Sequence, residues 1–200
     1  MKFERLSKSF DNKVVLDNFC LELPKSGTVV LMGPSGCGKT TWMRILAGLE
    51  TPDSGRITHE KQRLSMVFQE DRLLGGVTAL ENILAVLDRR DTALAMAWLT
   101  HMGIADACHL LPVALSGGMR RRLAIARAMA YGSDLMLLDE PFAGLDDITR
   151  EQIYPYLFDH KKSDRLTILI THDRGEAERF ADRLIIMDGP PLTVLEDIVG

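Results

Sequence analysis

Two hundred residues, 46% of them hydrophobic and 26% charged, can bury a sizeable core within one domain. A net charge of −4 excludes the overall basic field that draws a chain to nucleic acid or lipid headgroups. Apolar runs such as Leu135 to Leu138 and Leu184 to Met187 are far too short to span a bilayer.

Short alternating apolar patterns at 2–7 and 13–23 read as antiparallel strands. Thr28 to Met32 is an apolar, β-branched run that leads into Gly33-Pro34-Ser35-Gly36-Cys37-Gly38-Lys39-Thr40. Residues 39–49 are helical in pattern, and 56–68 read as one or two short strands ending at Gln69. The Leu- and Ala-rich stretch 78–108 reads as helical, with Thr78 and Glu81 spaced as a capping box. A further helix runs from Ser116 to Ala130, with Met119, Leu123, Ala126 and Ala130 on its core side. Strand 134–139, helix 147–161, strand 166–170, helix 174–181, strand 183–188 and a short last helix complete the chain. Strands alternating with helices, with continuous apolar interiors, imply a parallel sheet covered on both faces. The stretch 78–131 interrupts that alternation and reads as an inserted subdomain.

The Gly33–Thr40 segment matches the full phosphate-binding-loop pattern, with a strand before it and a helix after. Its glycines let backbone N–H groups turn toward phosphate oxygens, and the helix start adds partial positive charge. Lys39 suits the β- and γ-phosphates, and the Thr40 hydroxyl suits Mg²⁺. Asp134-Leu-Met-Leu-Leu-Asp139-Glu140 is a buried strand whose two carboxylates emerge at its C-terminal end, where ligands bind in open α/β sheets. Asp139 suits Mg²⁺ coordination, and Glu140 suits polarisation of an attacking water. His172 and Gln69 also follow strands and are candidates for the same site. Leu115-Ser116-Gly117-Gly118-Met119 pairs an N-cap serine with two glycines at a helix start. This makes a second anion-facing element, and one chain cannot easily bring both to a single phosphate. The pattern points to a nucleotide shared between two subunits. The basic run Arg120-Arg121-Arg122 reads as a solvated helix face rather than a nucleic-acid patch. Cys20, Cys37 and Cys108 lack metal spacing and suit free thiols in a reducing compartment. Met1-Lys2-Phe3-Glu4 opens no signal peptide.

Taken together, these segments resemble the ATP-binding subunit of an ABC transporter over nearly the whole chain. GPSGCGKT resembles Walker A, LMLLDE Walker B and LSGGM the signature. Gln69 is similar to the Q-loop, Ala143-Gly144-Leu145-Asp146 to the D-loop, and His172 to the switch histidine.

The resemblance implies an α/β P-loop NTPase with a mostly parallel core sheet and an N-terminal antiparallel β subdomain. Residues 1–77 and 132–200 would form these parts of a single domain, and 78–131 a helical subdomain. Contacts to ATP would come from Phe10, Gly33, Pro34, Ser35, Gly36, Cys37, Gly38, Lys39, Thr40 and Thr41. Ser116, Gly117, Gly118 and Asp146 would act in trans, from a second copy or a sister subunit. Mg²⁺ would be held by Thr40, Gln69 and Asp139, and Glu140, His172 and Gln69 would be catalytic. Phe10 also reads as a strand core aromatic. Closure of the pair around ATP would drive membrane permease subunits, with a solute-binding protein engaged indirectly. The chain would lie at the cytoplasmic face of the membrane, held there by the permease.

Residues 68–74, 112–120 and 148–152 resemble the nitrate, sulfonate and taurine uptake group, which implies solute import. An exporter or envelope-lipid ATPase subunit, a non-transport ABC ATPase and a P-loop kinase remain alternatives. Gly75-Gly76 stands where close relatives tend to have Pro-Trp, which suggests a less rigid contact with the permease's coupling helix. The chain ends soon after its last strand, and no regulatory domain is expected.

Overall fold

The computed structural model describes residues 1–60, 63–158 and 164–200. Its strands are β1 (Lys2–Phe10), β2 (Lys13–Glu22), β3 (Gly27–Met32), β4 (Ser54–Thr58), β5 (Leu64–Val67), β6 (Leu135–Asp139), β7 (Leu166–Ile170), β8 (Arg183–Asp188) and β9 (Thr193–Val199). Its helices are α1 (Lys39–Leu46), α2 (Ala79–Leu84), α3 (Thr92–His101), α4 (Gly117–Ala130), α5 (Asp147–Phe158) and α6 (Arg174–Phe180). The chain divides into two units. One comprises Met1–Leu64, Asp134–Asp139 and Ser163–Gly200, and the other Ser65–Ser133 and Glu140–Lys162.

In the first unit, β1 pairs antiparallel with both β2 and β4. A second sheet runs β6-β7-β3-β8-β9, parallel as far as β8. Strands β6 and β7 are buried at every residue, because continuous apolar side chains must be covered on both faces. The register sets Leu31 and Asp139 each beside Ile170. The C-terminal ends of β3, β6 and β7 therefore lie level, and the segments that leave them begin along one edge. Helix α1 buries Trp42, Met43, Ile45 and Leu46, and the Trp42 ring lies 4.8 Å from that of Phe3.

The short last helix expected from sequence is a strand. Thr193–Val199 pairs antiparallel with β8, and Arg183 forks onto Asp197 with bonds of 2.7 and 2.6 Å. Thr193, Val194, Ile198 and Val199 are β-branched and favour a pleated surface, and the open edge of β8 supplies the ladder.

In the second unit, the helical reading of 78–108 resolves into α2, α3 and a 3-10 turn at Ala105–Ala107. The capping box is present, since the Thr78 side chain accepts from Glu81 N–H while Glu81 accepts from Thr78 N–H. Asp91 starts α3 by accepting from Leu94 N–H at 2.9 Å, and so breaks what reads as one helical stretch. Helix α4 buries Leu123, Ala126 and Ala130 as expected, leaves Met119 only half-buried, and buries Arg121, Ala124, Ile125, Ala128 and Met129 as well. A helix covered nearly all round is a core helix rather than a surface one. Helix α5 was expected over 147–161, and 159–161 lie outside the described residues.

Candidate nucleotide site

The first unit contributes the glycine loop. Gly33 has φ 151°, and a Cβ there would lie 2.2 Å from the Met187 carbonyl oxygen, so only glycine fits. Gly36 has φ 79° and no atom within 4 Å of a built Cβ. Its backbone is left-handed and its surroundings are open, as a loop facing a ligand requires. The Lys39 ammonium donates to the carbonyls of Gly33 and Pro34 at 2.8 Å each and lies 3.5 Å from Cys37 Sγ. Lys39 is 5% exposed, so the loop holds a positive charge inside its own curve. Ser35 is exposed and Thr41 half-buried.

Thr40 Oγ1 donates to Asp139 Oδ2 at 3.0 Å. Asp139 is 2% exposed. A hydroxyl and a buried carboxylate in contact are hard oxygen donors of the kind Mg²⁺ takes. His172 is exposed, two residues beyond the end of β7. Its neighbours are tightly tied. The Thr171 hydroxyl donates to the buried Glu176 carboxylate. Thr171 also accepts from Asp173 N–H at 3.1 Å, and Asp173 caps α6 by accepting from Gly175 and Glu176 N–H. Phe10 is 43% exposed, with the Lys8 ammonium 4.9 Å from its ring centroid. The alternative of a strand core aromatic is thereby removed.

The remaining candidate residues lie in the second unit. Ser116 is exposed and accepts from Met119 N–H at 3.2 Å, which makes it the N-cap of α4. The N–H groups of Gly117 and Gly118 belong to the first turn and have no intrahelical acceptor. Asp146 caps α5 by accepting from Thr149 N–H at 2.9 Å and from its hydroxyl at 2.8 Å. These bonds, that from the Thr149 backbone first, hold its carboxyl below the ordinary aspartate range. Gln69 is exposed. Glu140 sits at φ 48°, a left-handed conformation that costs a non-glycine residue about 1–3 kcal/mol unless its surroundings impose it.

Two features escaped the sequence reading. Arg121 is 4% exposed, not part of a solvated helix face. It donates to the carbonyls of Phe68, Gln69 and Glu140. Its helical spacing to the buried Ile125 and Met129 was the available signal. Arg120 donates to the Leu115 carbonyl, and Arg122 to those of Met102 and Gly103. Asn82, fully buried, accepts from Leu74 N–H at 2.8 Å and donates to the Leu74, Val77 and Thr78 carbonyls. Asn82 therefore ties the chain on both sides of the Gly75-Gly76 turn. Neither glycine adopts a positive φ.

The chain is similar to known proteins in sequence and fold. The ABC transporter family model matches residues 16–143. The "Taurine import ATP-binding protein TauB" of Pseudomonas aeruginosa is 38% identical, over 96% of this chain and 80% of that protein. The "Aliphatic sulfonates import ATP-binding protein SsuB 3" of Rhodococcus jostii is 43% identical, over 90% of this chain and 68% of that protein. A dimeric, post-hydrolysis ATP-binding cassette bound to ADP and Pi superposes with a TM-score of 0.90 at 26% identity, over 99% of this chain and 97% of that one. With a family model covering more than half of its residues and relatives at 38% and 43% identity over most of its length, the chain belongs to the ABC transporter family.

Proposed function

We propose that this chain is the ATP-binding and hydrolysing subunit of a solute importer, working as a head-to-tail dimer around shared ATP. The observation that carries the reading is the Thr40–Asp139 contact at 3.0 Å beside a loop that buries Lys39. The relatives at 38% and 43% identity are named as import proteins, which favours uptake over export. The fold neighbour with ADP and Pi is a dimer.

The glycine-loop amides and Lys39 bind the β- and γ-phosphates. A phosphate oxygen carries charge, so it draws the ammonium more strongly than the neutral carbonyls of Gly33 and Pro34 do. Phe10 offers an exposed ring for the adenine. Thr40, Asp139 and Gln69 would hold Mg²⁺, which supplies neutralisation of charge on the phosphates. Glu140 polarises the attacking water, and His172 contacts the γ-phosphate. Ser116, Gly117 and Gly118 of a second copy present a helix N-terminus to that phosphate, with Asp146 at the same dimer face. Stabilisation of the transferring phosphoryl group is therefore largely electrostatic.

No helix among the described residues is long and apolar enough to cross a membrane. Permease subunits would supply the pore, and this chain would sit against them on the cytoplasmic side. The test is purification with the neighbouring permease and measurement of solute-stimulated ATPase. A chain that stays monomeric with Mg-ATP, even with Glu140→Gln, would sink the shared-site reading.

A further inference from the structure

We propose that Arg121 is a positioning residue for ATP hydrolysis, holding Gln69 and Glu140 in a fixed relation to the signature helix. The proposal rests on the roles assigned above to Gln69 and Glu140.

A guanidinium that is 4% exposed needs partners, because an uncompensated buried charge is strongly unfavourable. Arg121 has them in a particular arrangement. Its Nη2 donates to the Gln69 carbonyl at 2.9 Å and to the Glu140 carbonyl at 3.0 Å. Its Nη1 donates to the Phe68 carbonyl and lies 3.4 Å from Asp71 Oδ1. The counter-charge thus comes from Asp71, and the geometry from three main-chain oxygens. One planar group sets the spacing between the backbones of the two residues.

Both ends need such a hold. Gln69 follows β5 on an exposed segment. Glu140 has φ 48°, a conformation that persists only where neighbours impose it. A bond to its carbonyl pins the peptide that follows. Arg121 stands five positions after Ser116 on α4, about 7.5 Å along the axis at 1.5 Å per residue. The N-terminus offered to one ATP and the residues acting on the other are thereby set by about one and a half turns of one helix. Lysine cannot reproduce the fork, because its ammonium is a compact point charge on a flexible stem.

The test uses the full chain with Mg-ATP. Arg121→Met, Arg121→Lys and Arg121→Gln are compared with wild type and with Glu140→Gln. The expected result is a kcat loss of roughly ten- to hundredfold, the scale of a small misplacement of a catalytic group. KM for ATP should stay within about twofold, because the phosphate loop is untouched. Added guanidinium should restore part of the rate of Arg121→Gly. The double variant R121M/E140Q should be no slower than E140Q alone. If Arg121→Met does not fold, the lysine and glutamine variants carry the comparison. Wild-type kcat in Arg121→Lys would overturn the proposal, as would a rate loss matched by an equal loss of ATP binding. An E140Q variant that hydrolyses ATP normally would instead overturn the functional reading itself.

Discussion

The Thr40 hydroxyl donates to the Asp139 carboxylate at 3.0 Å across 99 positions of sequence. The contact joins the first turn of α1 to the end of β6, and both groups are oxygen donors. Asp139→Asn keeps the shape and removes the charge. ATP hydrolysis should fall by roughly 10²–10³-fold, the usual cost of losing a charge-stabilising group in an active site. Phosphate release measured against Mg²⁺ concentration checks this. Undiminished activity at low Mg²⁺ would remove Asp139 from the metal site.

Glu140→Gln should lower kcat by roughly 10²–10⁴-fold, the range for a lost general base, while ATP still binds. The bound, unhydrolysed nucleotide should hold two copies together. Size-exclusion chromatography with and without ATP reads the dimer directly.

Gly36→Ala and Gly33→Ala should behave differently. A methyl at Gly36 meets no atom within 4 Å, though φ is 79°. The fold should lose only about 1–2 kcal/mol, the cost of a left-handed L-residue, and ATP affinity should fall. A methyl at Gly33 would lie 2.2 Å from a main-chain oxygen, so β3 or β8 must shift and the melting temperature should drop much further. Thermal unfolding and nucleotide titration of both variants separate the two effects.

Asn82→Ala leaves the backbone of Leu74 unpaired inside the second unit. An unsatisfied buried polar group costs about 1–3 kcal/mol, or a fall of about 2–12 °C in Tm for a chain of this size. ATP affinity should be unchanged, since the bonds of Asn82 go to Leu74, Val77, Thr78 and Arg127. A melting curve that matches wild type would show that the Gly75-Gly76 turn does not depend on this brace.

Bonds from Thr78, the backbone one first, hold the Glu81 carboxyl below the ordinary glutamate value of 4.5. A folded-state pKa below the unfolded one contributes stability above the unfolded value. That contribution is lost as pH falls through the folded value. Glu81→Gln should therefore destabilise the protein near neutrality, and the difference from wild type should shrink below about pH 4.5. Asp146→Asn should follow the same sign. Urea unfolding at pH 7 and in the acid range measures both.

Much of the site was legible in the sequence because its signals are local. A phosphate loop needs glycines at set positions between a strand and a helix, and Gly33 to Thr40 supply them within eight residues. The run Leu135 to Leu138 reads as a buried strand, which places Asp139 and Glu140 at its end. Ser116 before two glycines suits an N-cap at a helix start. Tertiary structure decided the rest. Thr193–Val199 became a strand because β8 offers an unpaired edge. Phe10 lies exposed at the end of β1, with the Lys8 ammonium near its ring. Arg121 turned inward because the carbonyls of Phe68, Gln69 and Glu140 converge on it. Local pattern records which backbone shapes a residue permits. It cannot record which distant carbonyl will come within 3 Å of a guanidinium, because that distance exists only once the chain has closed on itself.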